Sequence, residues 1–69
     1  MKIKLLNDGD YGDMDSVKFP VIVDAEMGPG YFDVIASELY RIGANSGEFG
    51  ESNETWAFLN GEHAEEVIE

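Results

Sequence analysis

The sequence predicts an α+β domain, with a small antiparallel sheet of about four strands and one short helix packed on one face. Three observations lead there. Short β-branched and apolar runs recur between glycine-rich stretches, only the segment IASELYRIG carries apolar residues at helical spacing, and Gly28-Pro29-Gly30 and Asn60-Gly61 fall where strands would reverse. The 69 residues are read as a single small acidic domain spanning 1–69. A chain of that length buries a modest share of its surface, so its core must be compact.

Residues 1–6 open with a short strand, Ile3 and Leu5 alternating with Lys2 and Lys4. NDGDYGDMDS, residues 7–16, holds two glycines and is expected to be a loop or wide turn. VKFPVIVDA, residues 17–25, is the strongest strand signal. Pro20 donates no backbone hydrogen bond, which puts that strand at a sheet edge or at a bulge. Pro29 presets one torsion of the following turn, and residues 31–34 make a brief strand. The helix carries Ile35, Leu39 and Ile42 on one face, with Ser37 as a cap or first-turn residue and Gly43 as its stop. Residues 43–54 form the longest expected loop, residues 56–59 a strand, and Asn60-Gly61 a hairpin turn. The closing HAEEVIE reads as a returning strand rather than a frayed helix.

Fifteen Asp and Glu stand against four Lys and Arg, for a net charge of −11. That exceeds the magnitude of about 2–8 that keeps a small domain soluble. Self-repulsion on this scale opposes folding at low salt, and it disfavours direct contact with nucleic acid or an anionic membrane. Basic protein surfaces or cations are the natural partners. The apolar content of 43%, with four Phe, three Tyr and one Trp, argues against disorder. The N-terminus lacks the long apolar region of a secretory signal and no segment is long enough to span a membrane, so a cytoplasmic protein is expected; the alternating apolar strands lead to the expectation of a monomer.

Catalytic and metal constellations do not emerge. An EF-hand loop started at Asp8 places Gly12 at the third ligand position, Asp13 at the glycine and Phe19 at the final glutamate. One started at Asp13 fails at Val17 and Lys18. Without cysteine, and with His63 alone, zinc has no suitable donor set. Ser16, Ser37, Ser46 and Ser52 lie in turn or cap contexts, outside any GxSxG elbow, and GANSGEFG has neither a Walker lysine nor GxGxxG spacing. The expectation is a non-enzyme without cofactor or metal.

The acids themselves supply a pattern. Asp8 with Asp10, Asp13 with Asp15, and Asp24 with Glu26 are two apart, a separation of about 6.5 Å on extended backbone and close to the pitch of successive phosphates. Carboxylates so spaced suit a basic groove that otherwise takes nucleic acid. Glu48, Glu51 and Glu54 form a second acidic segment. Tyr11 and Phe49 lie within these two segments; loop aromatics are either packing caps or interface anchors inside a charged rim, and Tyr11 is the candidate anchor.

The opening KIKLLNDGDYGDMDSVKFPV, the SELYRIG segment and the C-terminal NGE are similar to small phage-encoded reading frames. In size, acidity, lack of cysteine and lack of a catalytic constellation, the whole chain resembles the small acidic proteins that phages use against host defence, anti-CRISPR proteins and related DNA mimics. Those proteins share no signature motif that would transfer a binding residue. The resemblance implies an inhibitor of a DNA-recruiting, basic nucleic-acid-binding surface in a type I CRISPR surveillance complex, type I-C among the subtypes, acting in the host bacterial cytoplasm. Its contact set would be Asp8, Asp10, Asp13, Asp15, Asp24 and Glu26 around Tyr11, with Glu48, Glu51 and Glu54 as a second patch. Two other readings stay open: a structural or assembly subunit of a phage or bacterial complex whose acidity serves solubility, and a calcium-responsive module.

Overall fold

A computed structural model of the protein describes residues 1–68, the side chains of Ser46 and Glu48 excepted. In chain order the elements are β1 (Lys2–Leu5), a 3-10 turn (Gly12–Met14), β2 (Val21–Asp24), β3 (Glu26–Gly28), β4 (Tyr31–Ile35), α1 (Ala36–Arg41), α2 (Ser46–Phe49), β5 (Thr55–Leu59) and β6 (Ala64–Glu66). The antiparallel α+β character agrees with the sequence reading. The strands, however, make two three-stranded sheets rather than one sheet of four, ordered β2-β1-β6 and β3-β4-β5.

The division has a local cause at Ala25. Its N–H donates to Met1 O at 2.8 Å, and its carbonyl accepts from the N-terminal ammonium at 3.0 Å. Ala25 thus completes the first sheet, while Glu26, Met27 and Gly28 pair with Asp33, Phe32 and Tyr31 in the second. The strand expected at 17–25 thus ends with the first sheet, and a further strand that the sequence reading did not assign, β3, begins the second. Its start is also later than the sequence suggests: Val17 N–H donates to Met14 O, continuing the preceding turn, and Val17 is buried. Pro20 stands just before β2, which is an edge strand, as the missing donor requires.

Alternation buries one side of each sheet. Ile3 and Leu5 of β1, Val23 of β2, Phe32 and Val34 of β4 and Phe58 of β5 are wholly buried, together with Ala36 and Leu39 of α1, Met14 and Phe49. Each large side chain among them contributes about 1.5–3 kcal/mol of burial free energy.

Helix α1 follows β4 directly. No side chain caps its start; Ala36 N–H donates to Glu54 O and Ser37 N–H to Ser52 O. Its end is a Schellman motif, with Ala44 N–H on Leu39 O and Gly43 N–H on Tyr40 O. Gly43 adopts φ +110° there, a conformation that favours glycine. The expected 43–54 loop contains α2, whose Phe49 is wholly buried. Asn60-Gly61 does turn the chain but does not close a hairpin. β5 pairs with β4 and β6 with β1, so this turn carries the chain from one sheet to the other.

Candidate functional site

Most of the basic charge is consumed on the first sheet. Lys2 meets Asp24 at 2.9 Å and Lys4 meets Glu65 at 3.5 Å, each pair directly opposed in the strand register. Arg41 grips Glu38 through Nε and Nη2 at 3.0 and 2.9 Å. Glu38 also accepts from Asp24 N–H at 3.0 Å, and Arg41 donates to Ile22 O. Side chains of α1 thereby occupy the outward backbone groups of edge strand β2. The bonds from Arg41, then that from Asp24 N–H, hold the Glu38 carboxyl down at about 2. The same partner keeps Arg41 above its ordinary value.

The Asp-rich loop is folded tightly and is not extended. Asn7 Oδ1 accepts from Gly9 N–H and Asp8 Oδ1 from Asp10 N–H, both at 2.9 Å. Asp10 takes φ +67°, and Asp13 lies within the 3-10 turn. The phosphate-like pitch expected for Asp8 with Asp10 and Asp13 with Asp15 therefore does not apply, because short-range side-chain to backbone bonds coil the segment. Gly9 presses against the core: a Cβ there would stand 2.8 Å from the Phe58 ring. Met14 is wholly buried one residue before exposed Asp15.

Tyr11 faces inward. Its ring meets Phe58 at 5.3 Å, Phe49 at 5.4 Å and Trp56 at 6.0 Å, all edge to face. Its hydroxyl donates to Ala57 O on the edge of β5. Tyr11 and Phe49 act as the packing caps that loop aromatics can be. The anchor role expected of Tyr11 gives way to one of holding the loop against β5, since an edge-to-face cluster keeps rings only when they are packed together.

That cluster brings the two acidic segments together. Asn45 N–H donates to Asp13 O, and the Asp13 carboxylate sits above Gly47, where a Cβ would stand 3.2 Å from Oδ2. Trp56 Nε1–H donates to Phe49 O at 3.1 Å. Glu51 and Glu54 are exposed; the side chain of Glu48 lies outside the described residues. Through Asp13, Asn45 and Tyr11 the Asp-rich loop thus packs against the start of the 46–54 segment as one ridge, where the sequence suggests two separate patches.

Asp24 and Glu26 do not belong to it. Asp24 opposes Lys2 at the start of β1, whereas the Asp-rich loop follows Leu5 at the other end, about 10 Å along the strand. Glu26 is on β3, across β4 from the β5 edge that carries Tyr11. The sequence reading missed Asp33, which lies directly opposite Glu26. A two-residue turn at Pro29-Gly30 would have set that register. Asp24, Glu26 and Asp33 border a groove of about 380 Å³ with Met1, Ala25 and Ile35.

His63, expected at the surface, is half-buried. Its Nδ1 accepts from Leu59 N–H at 3.3 Å, and Nε2 lies 3.9 Å from Asp10 Oδ2. Among the described residues no cluster of three or more His, Cys, Asp or Glu is arranged to hold a metal ion, and no helix is long and apolar enough to cross a membrane. No protein-family model, curated protein or solved structure matches the chain.

Proposed function

We propose that the protein is a non-enzymatic inhibitor that sets its acidic ridge against a basic, nucleic-acid-binding surface of a partner protein and keeps nucleic acid out by charge. The host-defence complexes named by the sequence resemblance, type I CRISPR surveillance complexes, are the partner class that fits. One observation carries the reading. Lys2, Lys4 and Arg41 are spent on Asp24, Glu65 and Glu38, and among the described residues no Lys or Arg forms an ion pair with Asp8, Asp10, Asp15, Glu51 or Glu54. Concentrated, uncompensated charge on a well-packed base raises association rates with a basic surface and displaces the ions that nucleic acid would displace. The likeness to nucleic acid is one of charge density rather than of residue-by-residue pitch.

Replacing Asp8, Asp10, Asp13 and Asp15 together with Asn retains the side-chain oxygens that accept from the loop backbone and removes four charges. This variant should melt no lower than the parent at low salt. It should bind a basic partner captured from bacterial lysate at least about tenfold more weakly, with a shallower salt dependence. Nucleic acid and the parent protein should compete for that partner. If the partner holds both at once, with neither changing the affinity of the other, the reading fails by reciprocal linkage.

A further inference from the structure

A second groove, of about 330 Å³, opens beside the Asp-rich loop between the end of β1 and the segment leading to β2. Leu6, Met14, Val17 and Phe19 form its apolar walls, and Asp8 and Asp15 stand with them. Leu6 is 36% exposed and Phe19 is only partly buried, so apolar surface is left open next to carboxylates. No basic residue lines this groove. The larger groove differs here: it is bordered by Met1, whose ammonium donates to Ala25 O, and by Asp24, already paired with Lys2.

We infer that the groove at Leu6 and Phe19 receives an arginine side chain of the basic partner. The inference rests on the acidic-ridge reading and names the residue that ridge selects. Arginine combines an apolar stem with a planar, weakly hydrated cation. The stem covers Leu6 and Val17, the guanidinium has an aromatic surface in Phe19, and Asp8 and Asp15 neutralise its charge. Asp8 Oδ1 is already engaged by Asp10 N–H, which holds that carboxylate in place. Lysine shares the charge but is a strongly hydrated point, poorly suited to an aromatic wall. The groove therefore converts a diffuse attraction for positive charge into a preference for one side chain.

The test uses the full chain and two ten-residue Lys/Ser peptides of equal charge, one carrying a single central Arg and the other Lys at that position. At low salt the Arg peptide should bind about fivefold more tightly, and in two-dimensional NMR it should shift Leu6, Val17 and Phe19. Replacing Leu6 with Asn, at a site already open to water, should erase the difference between peptides while leaving the spectrum folded. Equal affinities with no shift at Leu6 or Phe19 would overturn the groove yet leave the acidic ridge standing. Shifts centred on Met1 and Ile35 would overturn it in favour of the other groove. Absence of binding by both peptides would overturn the inference and remove the charge argument beneath the ridge as well.

Discussion

Lys2 and Asp24 meet at 2.9 Å across two strands, whereas Asp10 on the ridge has a side chain that is 95% exposed, with His63 Nε2 at 3.9 Å. The two regions hold acids by different means. On the first sheet and α1, strand register and helix spacing give Asp24, Glu65 and Glu38 a base each, and partly exposed pairs of this kind contribute little individually. On the ridge, repulsion is opposed from behind. Tyr11, Met14, Phe49, Trp56 and Phe58 fasten the loop backbones to β5 and to the core. The ridge therefore keeps its shape through packing, and among the described residues no Lys or Arg pairs with Asp8, Asp10 or Asp15.

The largest effect should come from cutting that fastening. Phe49 is wholly buried and touches Tyr11, Tyr40 and Trp56. Replacing it with Ala should cost about 3–5 kcal/mol, much of the stability of a domain this small. Urea unfolding followed by Trp56 fluorescence would measure it. A loss under about 1 kcal/mol would mean the ridge is held by something other than ring packing, and the contrast between the regions would collapse.

How legible this was in the sequence depends on the range of the interactions. Alternation exposed Ile3, Leu5 and the strand character of β2, β4 and β5 because that signal is local. Gly43 announced the end of α1 for the same reason. The second sheet was hidden: a strand at 17–25 followed by the Gly28-Pro29-Gly30 turn leaves Glu26 and Met27 unassigned, and only Met1 folding back onto Ala25 ends the first sheet before they pair with β4. The 43–54 segment looked like a loop because its glycines and asparagines outweigh one Phe, whose burial depends on partners far off in sequence. The acids of the candidate site were visible by composition. Their union into a ridge was not, since it rests on Tyr11 reaching Phe49 and Trp56, and on Asn45 reaching Asp13.

A smaller effect separates the regions by pH. Glu38 has a folded value of about 2 against an ordinary value near 4.5. A depressed carboxyl stabilises the folded state above its unfolded value, and that contribution is lost as pH falls from about 4.5 through about 2. Replacing Glu38 with Gln should cost about 1 kcal/mol at neutral pH. The melting-temperature gap between parent and variant should close on acidification through that window. A gap independent of pH would show that α1 is held to β2 without the Glu38 charge.

The smallest effect, and the sharpest on the comparison, is the pair Lys4–Glu65. Its atoms are 3.5 Å apart and its side chains are 41% and 53% exposed, so a double-mutant cycle with Gln at both positions should give a coupling of about 0.2–1 kcal/mol. At about 1 M salt the screening length falls to about 3 Å, shorter than the pair's separation, and the coupling should nearly vanish. The melting temperature of the whole protein should rise over the same salt range, because screening also quiets the ridge, where repulsion between carboxylates outweighs attraction. Opposite signs in one titration would locate attraction on the sheet and repulsion on the loops. If the coupling survives high salt, the Lys4 stem is packing rather than pairing. If the protein instead melts lower as salt rises, the ridge acids are in favourable contacts within the molecule, and their charge is not held in reserve for a partner.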